Sequence, residues 1–157
     1  MTDMTASGKK RLWAVAAVIL AAIAVMVAAN MESSRPVTAD ELPETARNFV
    51  GDNYPGDSPA LILKKFDDLR SSYEVTFTDG TKLKFGRRGE WTEIESHVRP
   101  VPSGVIPPQI CDYTDRNFPG IPLMEISRDR KEVEVKLSNR VELTFDSTAW
   151  TLTDFDD

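Results

Sequence analysis

The stretch YEVTFTDGTKLKF at residues 73–85 has a pattern that predicts a complete β-hairpin, and with it an antiparallel sheet. Apolar and polar residues alternate on both sides of Asp79-Gly80, a dipeptide typical of hairpin turns. Alternation of this kind predicts strands that are buried on one face only. The side chains predicted to be buried are Tyr73, Val75, Phe77, Leu83 and Phe85. The opposite, wet face carries Glu74, Thr76, Thr78, Lys82 and Lys84.

The same pattern returns 60 residues later as VEVKLSNRVELTF at residues 133–145. Its turn contains Asn139, which tolerates left-handed backbone geometry. The residues predicted to be buried are Val133, Val135, Leu137, Leu143 and Phe145. The wet face of this second hairpin carries Glu132, Glu134, Lys136, Glu142 and Thr144.

A short helix is predicted ahead of each hairpin. Leu42-Pro43 and Ile106-Pro107 each begin a run with apolar residues at helical spacing. The runs end at NYPG (53–56) and NFPG (117–120), which are 64 residues apart, as are the two starting points. Because proline suits a first helical turn and Pro-Gly ends a helix, we expect helices near 43–53 and 107–117.

This ordered agreement predicts a duplicated unit of about sixty residues, with repeats at 42–98 and 105–157. Trp91 is matched to Trp150, and both are expected to complete the core of the sheet. The fold class is α+β, with two tandem helix-plus-four-stranded antiparallel units forming one curved sheet that has its helices on one face. The strands are expected near 60–66, 73–78, 81–86, 91–96, 122–127, 131–137, 141–146 and 150–155.

The repeated pattern LP…F…YPG…YEV…DG…L.F…GEW resembles the beta-lactamase-inhibitor-like, PepSY-like family of exported bacterial proteins, over residues 42–157. The second copy departs from the pattern at two turns, with Asn139-Arg140 for Asp-Gly and residues 147–149 for the Gly before Trp. The resemblance implies tandem units joined into one curved sheet of about eight strands. It also implies a periplasmic or surface setting in a Bacteroides-like bacterium, and no established activity.

The N-terminus predicts export. A basic cluster at residues 9–11 precedes residues 12–29, which contain no charge, and this order is typical of export segments. Small residues at 27–29 suit cleavage of a signal peptide within residues 1–30, whereas the length of the run also suits an uncleaved membrane anchor. Both alternatives stay open. Residues 31–41 are expected to be a linker.

Candidate catalytic residues are few. His97 is the only histidine and Cys111 the only cysteine, and both lie near the junction of the two units. A Cys–His dyad is one hypothesis, against a solvated histidine and a thiol packed on the sheet. We expect no catalytic residues and no enzyme activity.

No cofactor or metal is expected either, because the acidic groups lack the spacing of a calcium loop. They are expected to be solvated turns or a frayed tail, and they comprise Asp67-Asp68, Asp112 with Asp115, and Asp154 with Asp156-Asp157. The GRRG stretch at 86–89 is expected to be an exposed hairpin turn rather than an anion site.

The wet face of the sheet is therefore the candidate site of an exported, non-catalytic protein-binding module of the bacterial envelope, which is expected to restrain a periplasmic or surface enzyme through this face. The expected partner-binding residues are Glu74, Thr76, Lys82, Lys84, Glu134, Lys136 and Glu142. Because aromatic anchors are missing from this set, binding should depend on charge and engage basic groups of an unidentified envelope or secreted protein. The net charge of −6 disfavours nucleic acid, and membrane contact is expected only through the N-terminal segment, if that segment is uncleaved. The alternative is a small-ligand-binding or scaffolding envelope protein.

Overall fold

A computed structural model describes residues 33–67 and 70–156, which form one open, curved antiparallel sheet with two α-helices. Neighbouring strands in the sheet follow their order in the chain, and every pair from the second strand to the ninth is antiparallel. In chain order the elements are β1 (Ser33–Pro36), α1 (Glu44–Asn53), β2 (Pro59–Asp67), β3 (Arg70–Phe77), β4 (Lys82–Phe85), β5 (Trp91–Glu95), α2 (Pro108–Asn117), β6 (Leu123–Arg128), β7 (Glu132–Leu137), β8 (Glu142–Asp146) and β9 (Leu152–Asp156).

The core lies between the two helices and one face of the sheet. All ten side chains predicted to be buried in the two hairpins are buried. Ala46 of α1 and Ile110 of α2 are fully buried against them. Phe49 contacts Phe85 edge-on at 5.7 Å between ring centroids, and Tyr113 contacts Phe145 in the same way at 5.3 Å. The predicted helices on one face of the sheet are therefore confirmed.

Both helices begin and end where the proline and glycine pattern predicts. Pro43 and Pro107 occupy the N-cap positions. Gly56 and Gly120, which follow the helix C-termini, have φ of 86° and 77°. Glycine adopts this left-handed conformation without the steric cost that a β-carbon brings.

The two hairpin turns keep the same geometry although their sequences differ. Gly80 has φ of 87°, and Arg140 in the second turn has φ of 76°. The N–H of Thr81 donates to Asp79 Oδ1 at 2.9 Å, and the N–H of Val141 donates to Asn139 Oδ1 at 3.3 Å. The Asx residue therefore holds each turn, and Arg140 accepts a conformation that suits glycine.

The predicted match between Trp91 and Trp150 is wrong. Phe85 pairs with Trp91 across β4–β5, whereas Phe145 pairs with Leu152 across β8–β9. The turn region between the paired residues has six residues between β8 and β9 (146–151, beginning with the last residue of β8) and five residues between β4 and β5 (86–90). Trp150 lies in the turn before β9 with φ of 57°, and its N–H donates to the carbonyl of Asp146. In the turn before β5, Gly89 has φ of 88° and its N–H donates to the carbonyl of Gly86. Trp91 is buried, whereas Trp150 packs half-buried beside the core.

Part of the predicted linker belongs to the sheet. Residues 33–36 form the edge strand β1 beside β2, and the N–H of Val37 donates to the carbonyl of Ile62 at 2.9 Å. The sheet described here therefore has nine strands rather than about eight. The export segment predicted at residues 12–29 lies outside the described residues. Among the helices within 33–67 and 70–156, none has the length and hydropathy to cross a bilayer.

Candidate partner-binding face

The face of the sheet opposite the helices is called the open face here. Cross-strand pairing arranges its side chains in two rows that run across β3 to β9. One row contains Thr76, Lys82, Glu95, Glu125, Lys136, Glu142 and Asp156. The other contains Glu74, Lys84, Glu93, Ser127, Glu134, Thr144 and Asp154. All seven residues predicted to bind a partner lie in these rows, and that a partner binds there stays a prediction.

The half of the open face built by β2 to β5 neutralises its own charge. Three lysines alternate with three glutamates, and they form the ion pairs Lys65–Glu74 at 2.9 Å, Lys82–Glu95 at 3.4 Å and Lys84–Glu93 at 2.7 Å. Because each ammonium group lies beside a carboxylate, this half presents little net charge to a charged partner.

The half built by β6 to β9 carries an excess of negative charge. It presents five carboxylates and one ammonium group along its two rows, namely Glu125, Glu134, Glu142, Asp154, Asp156 and Lys136. We call these six residues the acidic half. Lys136 donates a short hydrogen bond to Glu142, and this bond raises the pKa of the lysine. The five-to-one ratio leaves the acidic half strongly negative.

A shallow groove of about 450 Å³ runs over the acidic half. Glu93 and Glu125 lie along one side of it, and Asp154 and Asp156 of β9 lie along the other. Asp154 and Asp156 were predicted to belong to a frayed acidic tail, and that prediction is wrong because both lie within β9. Their pairing with Thr144 and Glu142 aligns them with the groove.

The two candidate catalytic residues have separate partners. Nε2 of His97 lies 3.0 Å from Glu95 Oε1, and the Cys111 thiol contacts the carbonyl of Ile106 at 3.9 Å. Burial of the Cys111 thiol raises its pKa, and the negative charges of Asp115 and Asp112 raise it further. The thiol is therefore kept protonated. Among the described residues, no hydrogen bond joins the two side chains.

The predicted acidic groups are dispersed. Asp112 pairs with Arg116 along α2 at 3.8 Å, while Asp68 and Asp157 lie outside the described residues. Within residues 33–67 and 70–156, no group of three or more His, Cys, Asp or Glu side chains is arranged to hold a metal ion.

The GRRG stretch forms the predicted turn, which is exposed at its two arginines and buried at Gly89. Arg87 and Arg88 are exposed, and the N–H of Arg88 donates to Glu90 Oε2 at 3.1 Å. Gly89 approaches α1 so closely that a β-carbon there would lie 2.8 Å from the backbone nitrogen of Ala46. The turn therefore docks on the first helix.

Two arginines with structural roles were not identified from the sequence. Arg99 pairs with Asp57 at 2.7 Å and with Asp79 at 3.2 Å, and its guanidinium lies 5.0 Å from the ring centroid of Tyr54. Arg128 stacks on Trp91 at 3.8 Å. Neither residue belongs to a local motif, so only the tertiary arrangement reveals these contacts.

Comparison with known proteins gives a family. The family model described as "Putative beta-lactamase-inhibitor-like, PepSY-like" matches residues 71–152. No curated protein matches the chain.

Solved structures match most of the chain. A protein of the DUF2874 family from Bacteroides vulgatus, described as a putative periplasmic protein, is 34% identical, with a TM-score of 0.79 over 82% of this chain and 100% of its own. A protein from Bacteroides thetaiotaomicron, described as putative calcium-regulated and periplasmic, is 37% identical, with a TM-score of 0.77 over 79% of this chain and 97% of its own. A second B. vulgatus protein, described as periplasmic and of unknown function, is 31% identical, with a TM-score of 0.75 over 80% of this chain and 100% of its own.

Proposed function

The chain belongs to the PepSY-like family, and we propose that it is a non-catalytic protein-binding module of the bacterial envelope. In this proposal the acidic half of the open face binds basic groups of an envelope or secreted protein, and so restrains a periplasmic or surface enzyme. The observation that carries the proposal is the uneven charge of the open face, which is balanced over β2 to β5 and five to one in favour of carboxylates over β6 to β9.

Two features favour recognition by charge. The helices pack on the other face of the sheet, so the open face is left to solvent within the described part of the chain. The two rows of the open face contain no aromatic side chain of the kind that anchors tight interfaces. We therefore expect an association that is steered by charge and weakened by salt.

Two observations support a location in the bacterial envelope. The similar solved proteins from Bacteroides are described as periplasmic. The basic cluster at 9–11 and the uncharged run at 12–29 have the pattern of an export segment. We propose that the protein is exported, either released after signal cleavage or held by residues 12–29.

We also infer that residues 42–157 are two tandem copies of one unit. Equivalent helices precede equivalent hairpins, and the edge-on pairs Phe49–Phe85 and Tyr113–Phe145 occupy matched positions. An alignment of related chains tests this inference. Shared residue preferences at matched positions of the two halves would support it, and unrelated preferences would contradict it.

Calcium forms no part of the proposal, although one similar protein is described as calcium-regulated. The carboxylates of the acidic half are spread along two rows, and no metal-binding group of side chains occurs in the described segments. We therefore expect partner binding to be the same in calcium and in a chelator. A loss of binding in the chelator would contradict this expectation.

A small-ligand site is the second candidate, favoured by a depression between α1 and the turn at 86–90. It has a volume of about 410 Å³ and is lined by Asn48, Asp52, Trp91 and Arg128 among others. A ligand bound there would change the fluorescence of Trp91. Comparing the full chain with Trp91→Phe during titration with envelope metabolites tests this alternative, and identical titrations would contradict it.

Affinity capture with matched charge variants tests the binding proposal. The full chain is immobilised and exposed to envelope extract. The groove variant combines Glu134→Gln, Glu142→Gln and Asp154→Asn. The control variant removes the same charge from exposed positions on the helices, through Asp52→Asn, Asp112→Asn and Asp115→Asn.

We expect one dominant protein to be retained by the wild-type chain and the control, to be released by salt, and to be retained much more weakly by the groove variant. Equal retention by both variants would contradict a role for the acidic half. A wild-type chain that retains nothing beyond a denatured bait would contradict the binding module itself.

A further inference from the structure

We propose that the partner supplies an extended segment, with basic and apolar residues in alternation, that pairs with β9 as a further strand of the sheet. This inference rests on the proposed function and specifies how the acidic half is occupied. It combines an open sheet edge, a charged row on one side of that edge and an apolar row on the other.

Within residues 33–67 and 70–156, the edge at β9 is available for pairing. It is the last strand in the sheet order, and all five of its residues are exposed. The N–H of Phe155 donates to Asp154 Oδ1 at 3.0 Å, so a carboxylate from the same strand takes the place of a neighbouring strand there. An incoming carbonyl would replace that carboxylate and release it to bind a cation.

The opposite edge is less suitable. β1 has four residues, and it ends in Pro36, which has no N–H to donate. Its Arg35 is already paired with Glu41 at 2.8 Å. An added strand is therefore favoured at β9 over β1.

The two sides of β9 require different side chains from the incoming strand. On the groove side lie Asp154 and Asp156, which pair with Thr144 and Glu142. On the helix side lie Leu152 and Phe155, which are 36% and 47% exposed. Phe155 stacks against Phe118 at 6.4 Å between ring centroids, which extends the apolar surface of the core to the edge.

A strand adjacent to β9 would place its alternate side chains on these same two sides, because side chains of neighbouring strands lie in register. Lys or Arg on the groove side would lie beside the carboxylates. Val, Ile or Leu on the helix side would cover Phe155. Basic and apolar side chains must therefore alternate along the partner segment, because the side chains of β9 alternate between the two sides of the sheet.

Synthetic peptides test this inference directly. The probe is a peptide of about eight residues alternating Lys and Val, titrated into the full chain held in non-ionic detergent. Matched controls are alternating Glu and Val, and the same Lys and Val composition with the lysines grouped at one end. We expect the alternating Lys-Val peptide to bind about tenfold more tightly than either control.

Backbone methylation separates strand pairing from simple charge attraction. N-methyl groups on alternate residues block one hydrogen-bonding edge of the peptide and leave its charge unchanged. One methylation pattern should bind like the parent, and the pattern shifted by one residue should lose at least about tenfold in affinity. Equal binding of both patterns would overturn strand addition.

A pair of protein variants provides the reciprocal test. Phe155→Ala removes the ring and keeps the N–H, whereas Phe155→Pro also removes the N–H. Binding of the Lys-Val peptide should fall further in the proline variant than in the alanine variant, and equal binding would contradict the inference. Thermal unfolding of both variants shows that the sheet is intact, and the methylated peptides test the wild-type chain without any substitution.

Failure of the inference is distinguishable from failure of the proposed function. If the envelope partner is captured through the acidic half but no alternating peptide binds, strand addition is wrong and the binding module stands. If neither partner nor peptide binds, both are wrong.

Discussion

At the scale of single residues, a few close contacts join surface loops to the core. Gly89 allows the turn at 86–90 to touch α1, and Arg99 lies over Tyr54 while pairing with Asp57 and Asp79. These contacts join the loops to the core, so their loss is expected to lower the free energy of unfolding rather than to change the open face.

Gly89→Ala should destabilise the protein by about 2–4 kcal/mol. The substitution places a β-carbon 2.8 Å from the Ala46 backbone nitrogen, at a residue with φ of 88°. Chemical denaturation measures the change. The control is Gly51→Ala in α1, where nothing lies within 4 Å, and it should stabilise by about 0.5–1 kcal/mol. Equal effects of the two substitutions would contradict the close approach of the turn.

Tyr54→Phe should reduce the decrease in the free energy of unfolding that the protein undergoes at alkaline pH. Burial raises the pKa of Tyr54 to about 12, from its ordinary value of 10.0. The folded state therefore keeps a proton that the unfolded state loses, and stability falls as pH rises from about 10 to about 12. The difference between wild type and variant should grow over that range, to at most about 2 kcal/mol. Parallel stability–pH curves would contradict a buried neutral phenol.

At the scale of elements, the alternation of the two hairpins was sufficient to predict their strands. Tyr73 to Phe85 and Val133 to Phe145 have one buried face in the structure, as their period of two requires. β1 was missed because SSRP is short and polar, and its pairing depends on β2 rather than on its own pattern. The misplacement of Trp150 arose from one extra residue in a turn, which pattern matching does not register.

Arg140→Gly should stabilise the protein by about 0.5–1 kcal/mol, because Arg140 has φ of 76°. The reciprocal change, Gly80→Ala in the first hairpin, should destabilise by about 1–2 kcal/mol through strain alone, since nothing lies within 4 Å of its added β-carbon. Thermal unfolding of both variants tests the matched turn geometry. A destabilising Arg140→Gly would show that the arginine side chain contributes more than its backbone strain costs.

At the scale of the whole molecule, the division of the open face into a balanced and an acidic half is the feature that matters for function. The sequence predicted the wet face and its residues, but not this division. The charge of a face depends on register across every strand, and β9 brings Asp154 and Asp156 to the groove only because a turn of six residues (146–151) positions it.

The salt dependence of partner capture should follow the acidic half. Raising the salt concentration should weaken retention by the wild-type chain and have a smaller effect on the groove variant Glu134→Gln/Glu142→Gln/Asp154→Asn, because screening acts on charges that this variant lacks. Retention measured over a series of salt concentrations provides the comparison. Identical salt dependence of the two chains would contradict charge recognition by this surface.

Hydrogen–deuterium exchange on the full chain, with and without the envelope protein fraction, locates the surface through which the protein binds its partner. If the acidic half binds the partner, slower exchange should appear in peptides from β6 to β9 (123–156), with β9 most affected. Exchange in α1 and in β2 to β4 should stay unchanged. Protection confined to the helices or to β2 to β4, or no protection anywhere, would contradict the claim that this chain binds a partner through its acidic half.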